Sequence, residues 1–241
     1  EKTYTDVLRD IEVKVTIEVE NEFSTKGDCE DDGTDCDVED IESVDQVFDR
    51  LKQEWGKLDF LVHAIGFSDR NELKGDYADT SRENFTKTMV ISCFSFTEAA
   101  KRAADLMTEG GSMITLTYGG STRVMPNYNV LGVAKAALES SVRYLATDFG
   151  PRNIRVNAIS AGPMRTLAGA GISDSRSMFN YQKRNAPLRR TVSLEEVGGS
   201  GLYLLSDLSG GVTGEIHFVD SGYSTLSMPR LEEVKAADHE A

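Results

Sequence analysis

Residues 115–143 read TLTYGGSTRVMPNYNVLGVAKAALESSVR, and they set two tyrosines and a lysine where a strand hands over to a helix. The strand comes first: Gly111 to Thr117, GSMITLT, is apolar and rich in β-formers, and the pair Gly119-Gly120 ends it. Tyr118 then stands at its carboxyl edge. Pro126 and Asn127 open a segment in which Val130, Val133, Ala134, Ala137, Leu138, Val142 and Leu145 keep helical spacing, with no proline before Pro151. Tyr128 and Lys135 are seven residues apart, about two helical turns, so a helix over both puts phenol and ammonium on one face. Such a pair suits proton donation to an oxyanion, because a cation within about 4–6 Å favours the phenolate and lowers a pKa that is ordinarily about 10. On these two residues alone, a helix start with a solvated lysine explains the pattern equally well.

Outward from this stretch lie LVHAIGF (61–67) before it and IRVNAISAGPMRTLAGAGIS (154–173) after it. Together these segments resemble the short-chain dehydrogenase/reductase superfamily, and within it the enoyl-acyl carrier protein reductases of bacterial fatty acid synthesis. The resemblance runs from about Cys36 to about Lys235. Most of the superfamily carries tyrosine and lysine four apart. The enoyl reductase branch has Tyr, nine residues, Tyr, six residues, Lys, a spacing that Tyr118, Tyr128 and Lys135 reproduce.

The resemblance implies an α/β fold: a Rossmann-like, doubly wound, mainly parallel sheet in one domain over residues 35–241. It implies reduction of a trans-2-enoyl thioester on acyl carrier protein by NADH, with hydride going to the β-carbon. Tyr128 would donate to the enolate oxygen, Lys135 would hold the nicotinamide ribose and bias the phenol, and Tyr118 would shape the pocket and meet the thioester. Pro163, Met164 and Thr166 would contact the nicotinamide, while Asp37, Val38, Ile65 and Gly66 would line the adenosine side. Met125 and Ala168 join the two tyrosines on the substrate side, and the small apolar run LAGAGISDSRSMF (167–179) would form a flap over the acyl chain. A homotetramer is implied, paired through helices 82–107 and 127–149.

The residues read directly give a compatible outline. Val44, Val47, Phe48 and Leu51 mark the apolar face of a helix from about Ile41 to Trp55, LDFLVHAIGF (58–67) reads as a buried strand, and 82–107 as one long helix with Phe94 and Phe96 packed. IRVNAISA (154–161) is a further strand, Val197 to Leu205 a helix and EIHFVD (215–220) the last strand, before a polar tail from Pro229. Gly162 to Thr166 leaves the carboxyl end of a strand, where ligands of open α/β sheets bind.

The chain has 241 residues, of which 39% are hydrophobic, enough for a sizeable core in one domain. Cys29, Cys36 and Cys93 form no Cys-x-x-Cys, and His63, His217 and His239 are scattered, so neither a disulfide framework nor a metal site is indicated. His63, inside a strand pattern, reads as a hydrogen-bonded core histidine. No apolar run nears a membrane span and no signal peptide opens the chain, so the expected location is the cytoplasm. The net charge of −14 is concentrated: residues 1–45 hold 17 acidic and 4 basic side chains, and the remaining 196 hold 23 and 22. That balance excludes nucleic acid as a partner, since phosphate contacts need a basic surface.

Residues 1–34 stand apart. Asp10 to Glu20, DIEVKVTIEVE, alternates strictly and suits an edge strand or hairpin, and Phe23 to Thr34 reads as a loop. The glycine-rich turn that places backbone amides and a helix N-terminus on a cofactor pyrophosphate is absent from this segment. The expectation is an atypical or incomplete nucleotide-binding unit and weaker NADH binding than in an intact family member, or an N-terminus altered from the native one. Two alternatives accompany the reductase reading. A catalytically impaired scaffold would follow from the missing unit, whereas a ketoacyl or alcohol reductase of the same superfamily would need a serine where Thr115 stands and a closer lysine.

Overall fold

The computed structural model describes residues 36–164 and 175–232. The expected strand at 10–20, the acidic segment 1–34, Thr166, Ala168 and most of the polar tail lie outside the described residues.

The sheet has four parallel strands in the order β1 (Phe60–His63), β2 (Gly111–Thr117), β3 (Ile154–Ala161) and β4 (Ile216–Val219). Before β1 comes α1 (Ile41–Glu54), started by Asp40, whose carboxylate accepts the Glu42 amide at 3.0 Å. Its apolar stripe of Val44, Val47 and Phe48 is buried. Between β1 and β2 run α2 (Arg82–Met89) and α3 (Ser95–Leu106); between β2 and β3 runs α4 (Asn129–Phe149); between β3 and β4 come α5 (Ser175–Asn185) and α6 (Leu194–Leu205).

Alternation along the strands feeds two cores. On one face Leu61, Met113, Val156 and Ala158 pack with α1, α3 and α4, through residues such as Phe96, Ala100, Leu138 and Val142. On the other, Ile114 and Ile159 pack with Val197 and Leu204 of α6. Val62, the register partner of Ile114, points to that second face and is 37% exposed, so among the described residues the second face is covered at β2 and β3 but open at β1.

Three expectations are corrected. The strand expected over 58–67 pairs only at Phe60–His63, because beyond it the Phe67 amide and carbonyl both bond to the Ser92 hydroxyl, each at 2.8 Å, rather than to a strand. The single helix expected over 82–107 is broken by a π-helical turn at Val90–Phe94, which rotates Phe94 outward to 52% exposure while Phe96 stays fully buried. The helix expected from Pro126 begins at Asn129, because Asn127 adopts a positive φ of 56°, a conformation asparagine tolerates and a helix interior does not, and Tyr128 at φ −120° is the cap. Tyr128 therefore caps α4 instead of lying in it, and its relation to Lys135 is not that of two residues on one helical face.

Candidate active site

Two glycines set the position of Tyr128. A Cβ on Gly120 would fall 2.5 Å from Tyr128 Cδ1, and one on Gly132 would fall 2.8 Å from the Gly120 carbonyl oxygen. The turn after β2 thus lies directly on the first turn of α4, with the phenol ring wedged against it. Tyr118 closes the other side: the two ring centroids are 5.2 Å apart with planes 68° apart, an edge-on aromatic pair. Asn129 secures the approach, its Nδ2 donating to the carbonyls of Glu72 (3.2 Å) and Gly75 (3.3 Å).

Lys135 leaves α4 one turn further on and is almost wholly buried, at 8% exposure. Its Nζ donates to the Leu116 carbonyl of β2 at 2.9 Å and lies 3.5 Å from the Ile65 carbonyl beyond β1, so it bridges the ends of two adjacent strands. Glu139, one turn later, is also buried and accepts from the Thr117 hydroxyl at 2.8 Å. Successive residues of β2 thus hold two charged groups of α4.

The electrostatics depart from the expected lysine-biased phenol. Burial pushes the Tyr128 hydroxyl well above its ordinary range, and Tyr118 adds to that shift. The lysine charge is directed to backbone carbonyls, and no lowering of the phenol follows. Burial also lowers Lys135 to about 8, opposed by the thiol of Cys93 and by Glu139. Tyr128 is therefore a neutral phenol across the physiological range, suited to donating a hydrogen bond or a proton and unsuited to acting as a base.

A cavity of about 280 Å³ opens beside the pair, walled by Tyr118, Gly119, Met125, Gly162, Gln182 and Tyr223. Gln182, in α5, donates through Nε2 to the Tyr118 hydroxyl at 2.9 Å. Tyr128 does not itself line this space; Tyr118, its ring partner, does. Met164 is half-buried against the α6 core, with Pro163 before it, at the carboxyl end of β3. On the β1 side, Val38 and Ile65 meet with Cys36 around a small cleft of about 20 Å³. Asp37 is exposed, its carboxylate accepting the Glu39 amide (2.9 Å) while its own amide donates to the Ser43 hydroxyl (2.9 Å). Tyr118, Tyr128, Lys135 and Met125 thus gather at β2 and α4, Pro163 and Met164 flank them, and Val38 and Ile65 stand apart at β1.

His63 is the core histidine expected. Ser95 donates to the Ile91 carbonyl (2.6 Å) and so accepts from Nε2 (2.9 Å), which leaves Nδ1 to accept from Thr115 (3.0 Å). Burial, then the Lys135 charge, holds this imidazole down to about 3. The same bond commits the Thr115 hydroxyl to the core, away from the role a ketoacyl reductase would need at that position.

Residues 7–224 match the family model described as enoyl-(acyl carrier protein) reductase. This chain belongs to that family. The match begins earlier than the Cys36 that motifs alone mark, reaching into the acidic N-terminal segment. One relative, the enoyl-[acyl-carrier-protein] reductase [NADH] 2 of Rhizobium meliloti (strain 1021), is 75% identical over 203 residues, covering 84% of this chain and 76% of the relative. The crystal structure of FabI from Candidatus Liberibacter asiaticus superposes with a TM-score of 0.81 at 61% identity, over 83% of this chain and 78% of that one. The Anaplasma phagocytophilum enoyl-(acyl-carrier-protein) reductase, solved in complex with NAD, superposes with a TM-score of 0.79 at 58% identity, over 82% and 76%. The parallel-sheet, Rossmann-like architecture is shared with these reductases.

The residues present fit the nucleotide such a reductase uses. Gly66 carries no Cβ where one would sit 3.6 Å from Lys135 Nζ, which leaves the ammonium open on that side, and Val38 and Ile65 offer apolar walls to a flat ring. Sequence reading missed Gln182, Glu139 and the glycine contacts. Glu139 had a signal, a carboxylate four residues after Lys135 on an otherwise apolar face; Gln182, one of three amide side chains in a polar helix, had none.

Proposed function

We propose that this chain reduces the trans-2 double bond of an enoyl thioester carried on acyl carrier protein, with NADH as reductant. The observation that carries the reading is the neutral, buried Tyr128 held edge-on to Tyr118 beside a cavity, with Lys135 fixed at the strand ends. When bound, NADH supplies the hydride that reaches the β-carbon. Tyr128 donates to the thioester oxygen as negative charge develops there, an interaction stronger in the transition state than in the ground state. Lys135 uses two of its hydrogens on the Leu116 and Ile65 carbonyls and keeps the third for a ribose hydroxyl. Tyr118 and Met125 wall the acyl side with Ala168, Pro163 and Met164 with Thr166 face the nicotinamide, and Asp37, Val38, Ile65 and Gly66 take the adenosine side. Ala168 and Thr166 enter this assignment by sequence alone.

NADH oxidation followed at 340 nm on adding a crotonyl thioester tests the reading: turnover is expected, and none is expected with an acetoacetyl thioester. The opposite pattern would make the enzyme a ketoacyl reductase, and silence with both would make it a scaffold. The reading further includes one catalytic domain over 35–241, a cytoplasmic location, which the free thiols of Cys36 and Cys93 support, and a homotetramer. Phe85 and Phe94 between β1 and β2 and Tyr144 on α4 expose large apolar side chains, which supports pairing through these helices. Light scattering giving a stable monomer at micromolar concentration would remove the tetramer. No helix among the described residues is long and apolar enough to cross a membrane.

A further inference from the structure

The chemistry above assigns no task to Gln182, a buried polar side chain that lines the site. Gln182 is 5% exposed, lines the same cavity as Tyr118, and donates its amide N–H to the Tyr118 hydroxyl at 2.9 Å. A phenol has one hydrogen to give and lone pairs to accept with. Because the bond from Gln182 occupies the acceptor side, the Tyr118 hydrogen is turned elsewhere, and among the described residues none accepts it. The ring has little freedom to turn away, since Tyr128 stands against it edge-on.

We propose that Gln182 is a positioning residue that aims the Tyr118 hydroxyl into the cavity as a hydrogen-bond donor for the substrate's thioester carbonyl, alongside Tyr128. This rests on the enoyl thioester reduction proposed above. Burial keeps Tyr118 protonated by raising its pKa, partly offset by the Gln182 bond, and Tyr223 across the cavity acts in the same direction as burial. The other charged groups facing this space are already engaged. Asp220 accepts the amides of Gly222 (2.9 Å) and Ser224 (2.7 Å), and Arg123 donates to the carbonyls of Ser224 and Leu226. Among the described residues Gln182 alone donates to the Tyr118 oxygen, and it does so from α5, outside the strand and helix that carry the tyrosines.

Three variants test this, with steady-state rates on a crotonyl thioester, NADH affinity and melting temperature measured on each. Gln182→Met keeps the volume and removes the donor; kcat/KM is expected to fall about three- to tenfold, the worth of one neutral hydrogen bond, with NADH affinity unchanged. In a Tyr118→Phe background the same change is expected to have no further effect, because Gln182 acts only through that hydroxyl. Gln182→Glu reverses the bond: an ionised carboxylate accepts the Tyr118 hydrogen and draws it out of the cavity, and a protonated one donates as the amide does. Its pH–rate profile is expected to gain a further limb that falls with rising pH, below the fall near pH 8 that Lys135 gives the native enzyme, and this further limb is absent from the native enzyme and from Gln182→Met. Equal losses from Gln182→Met in both backgrounds, or losses that track melting temperature and NADH affinity, would reduce Gln182 to packing and overturn the proposal. So would a Gln182→Glu profile parallel to the native one. If native enzyme does not turn over the crotonyl thioester, both readings fall; if it does and the variants match it, only the role of Gln182 falls.

Discussion

The carboxyl ends of β1 and β2 are neighbours in one sheet and are built in opposite ways. At β2 the chain crowds: two tyrosine rings at 5.2 Å, two glycines with no room for a Cβ, a buried lysine and carboxylate held by successive residues of the strand, and a cavity of about 280 Å³. Among the described residues at β1, the strand stops after four residues, Val62 is 37% exposed, Asp37 is exposed, and the cleft between Val38 and Ile65 holds about 20 Å³. The difference separates two tasks. On the proposed roles, groups that meet a developing charge are fixed by packing from several elements, whereas the proposed adenosine side offers, among the described residues, apolar contact and backbone with few directional groups.

Lys135 joins the two ends, so its removal should have the largest effect. Lys135→Ala is expected to weaken NADH binding and slow the chemical step together, a greater loss in kcat/KM than from any single phenol variant, checked by fluorescence titration beside single-turnover rates. A change confined to one of the two would sever the link between the ends. In the native enzyme the ammonium is lost as pH rises through about 8, so kcat/KM is expected to fall above that value and to be flat just below it.

At β2 itself, Gly120→Ala puts a methyl group into the Tyr128 ring. The misfit is expected to cost about 1–3 kcal/mol of stability and to lower the rate with NADH affinity kept, because the displaced group is the phenol and not the cofactor wall. A variant with native rate and melting temperature would mean that the turn yields freely and that the crowding has no role in placing the ring.

His63, beneath both ends, predicts a pH dependence of stability. Its native pKa of about 3 lies below the unfolded value of 6.5, so between these limits the unfolded chain binds the extra proton; this contribution is complete above pH 6.5 and is lost as pH falls toward 3. From pH 7 to pH 5 it removes about 2 kcal/mol. Urea unfolding at the two pH values should show that excess loss in the native protein relative to His63→Gln. At β1 the smallest effect is expected: Val38→Ala should weaken NADH by about 1 kcal/mol, two methyl groups' worth of contact, and leave kcat unchanged. A large loss of kcat there would contradict the division between the two ends.

Strand and helix periodicity carried most of the fold: the β3 bounds follow directly from IRVNAISA, and α1 ends within a residue of its expected limit. The failures share a cause. Where β1 stops, where the π turn falls and where α4 starts are each decided by a partner distant in sequence or by a special backbone conformation: Ser92 bonding Phe67, Ser95 bonding both His63 and Ile91, and the positive-φ Asn127 before Tyr128. The shared helical face expected for Tyr128 and Lys135 fails, because Tyr128 stands at the cap, whereas the meeting of Tyr118 and Tyr128 was legible from the resemblance's spacing. The direction of the lysine was not, because it depends on which carbonyls lie at the strand ends, nor was Gln182, which meets Tyr118 only through tertiary packing 64 residues away in sequence.

The central claim is that Tyr128, neutral and wedged at the start of α4, is the principal donor to the developing oxyanion, with Tyr118 secondary to it. Single-turnover reduction of a crotonyl thioester by Tyr128→Phe and Tyr118→Phe, each saturated with NADH, tests this directly. The account predicts that Tyr128→Phe slows the chemical step by about 2–4 kcal/mol, that Tyr118→Phe loses clearly less, and that both bind NADH as the native enzyme does. A native rate in Tyr128→Phe with the step abolished in Tyr118→Phe would exchange the two roles and contradict it.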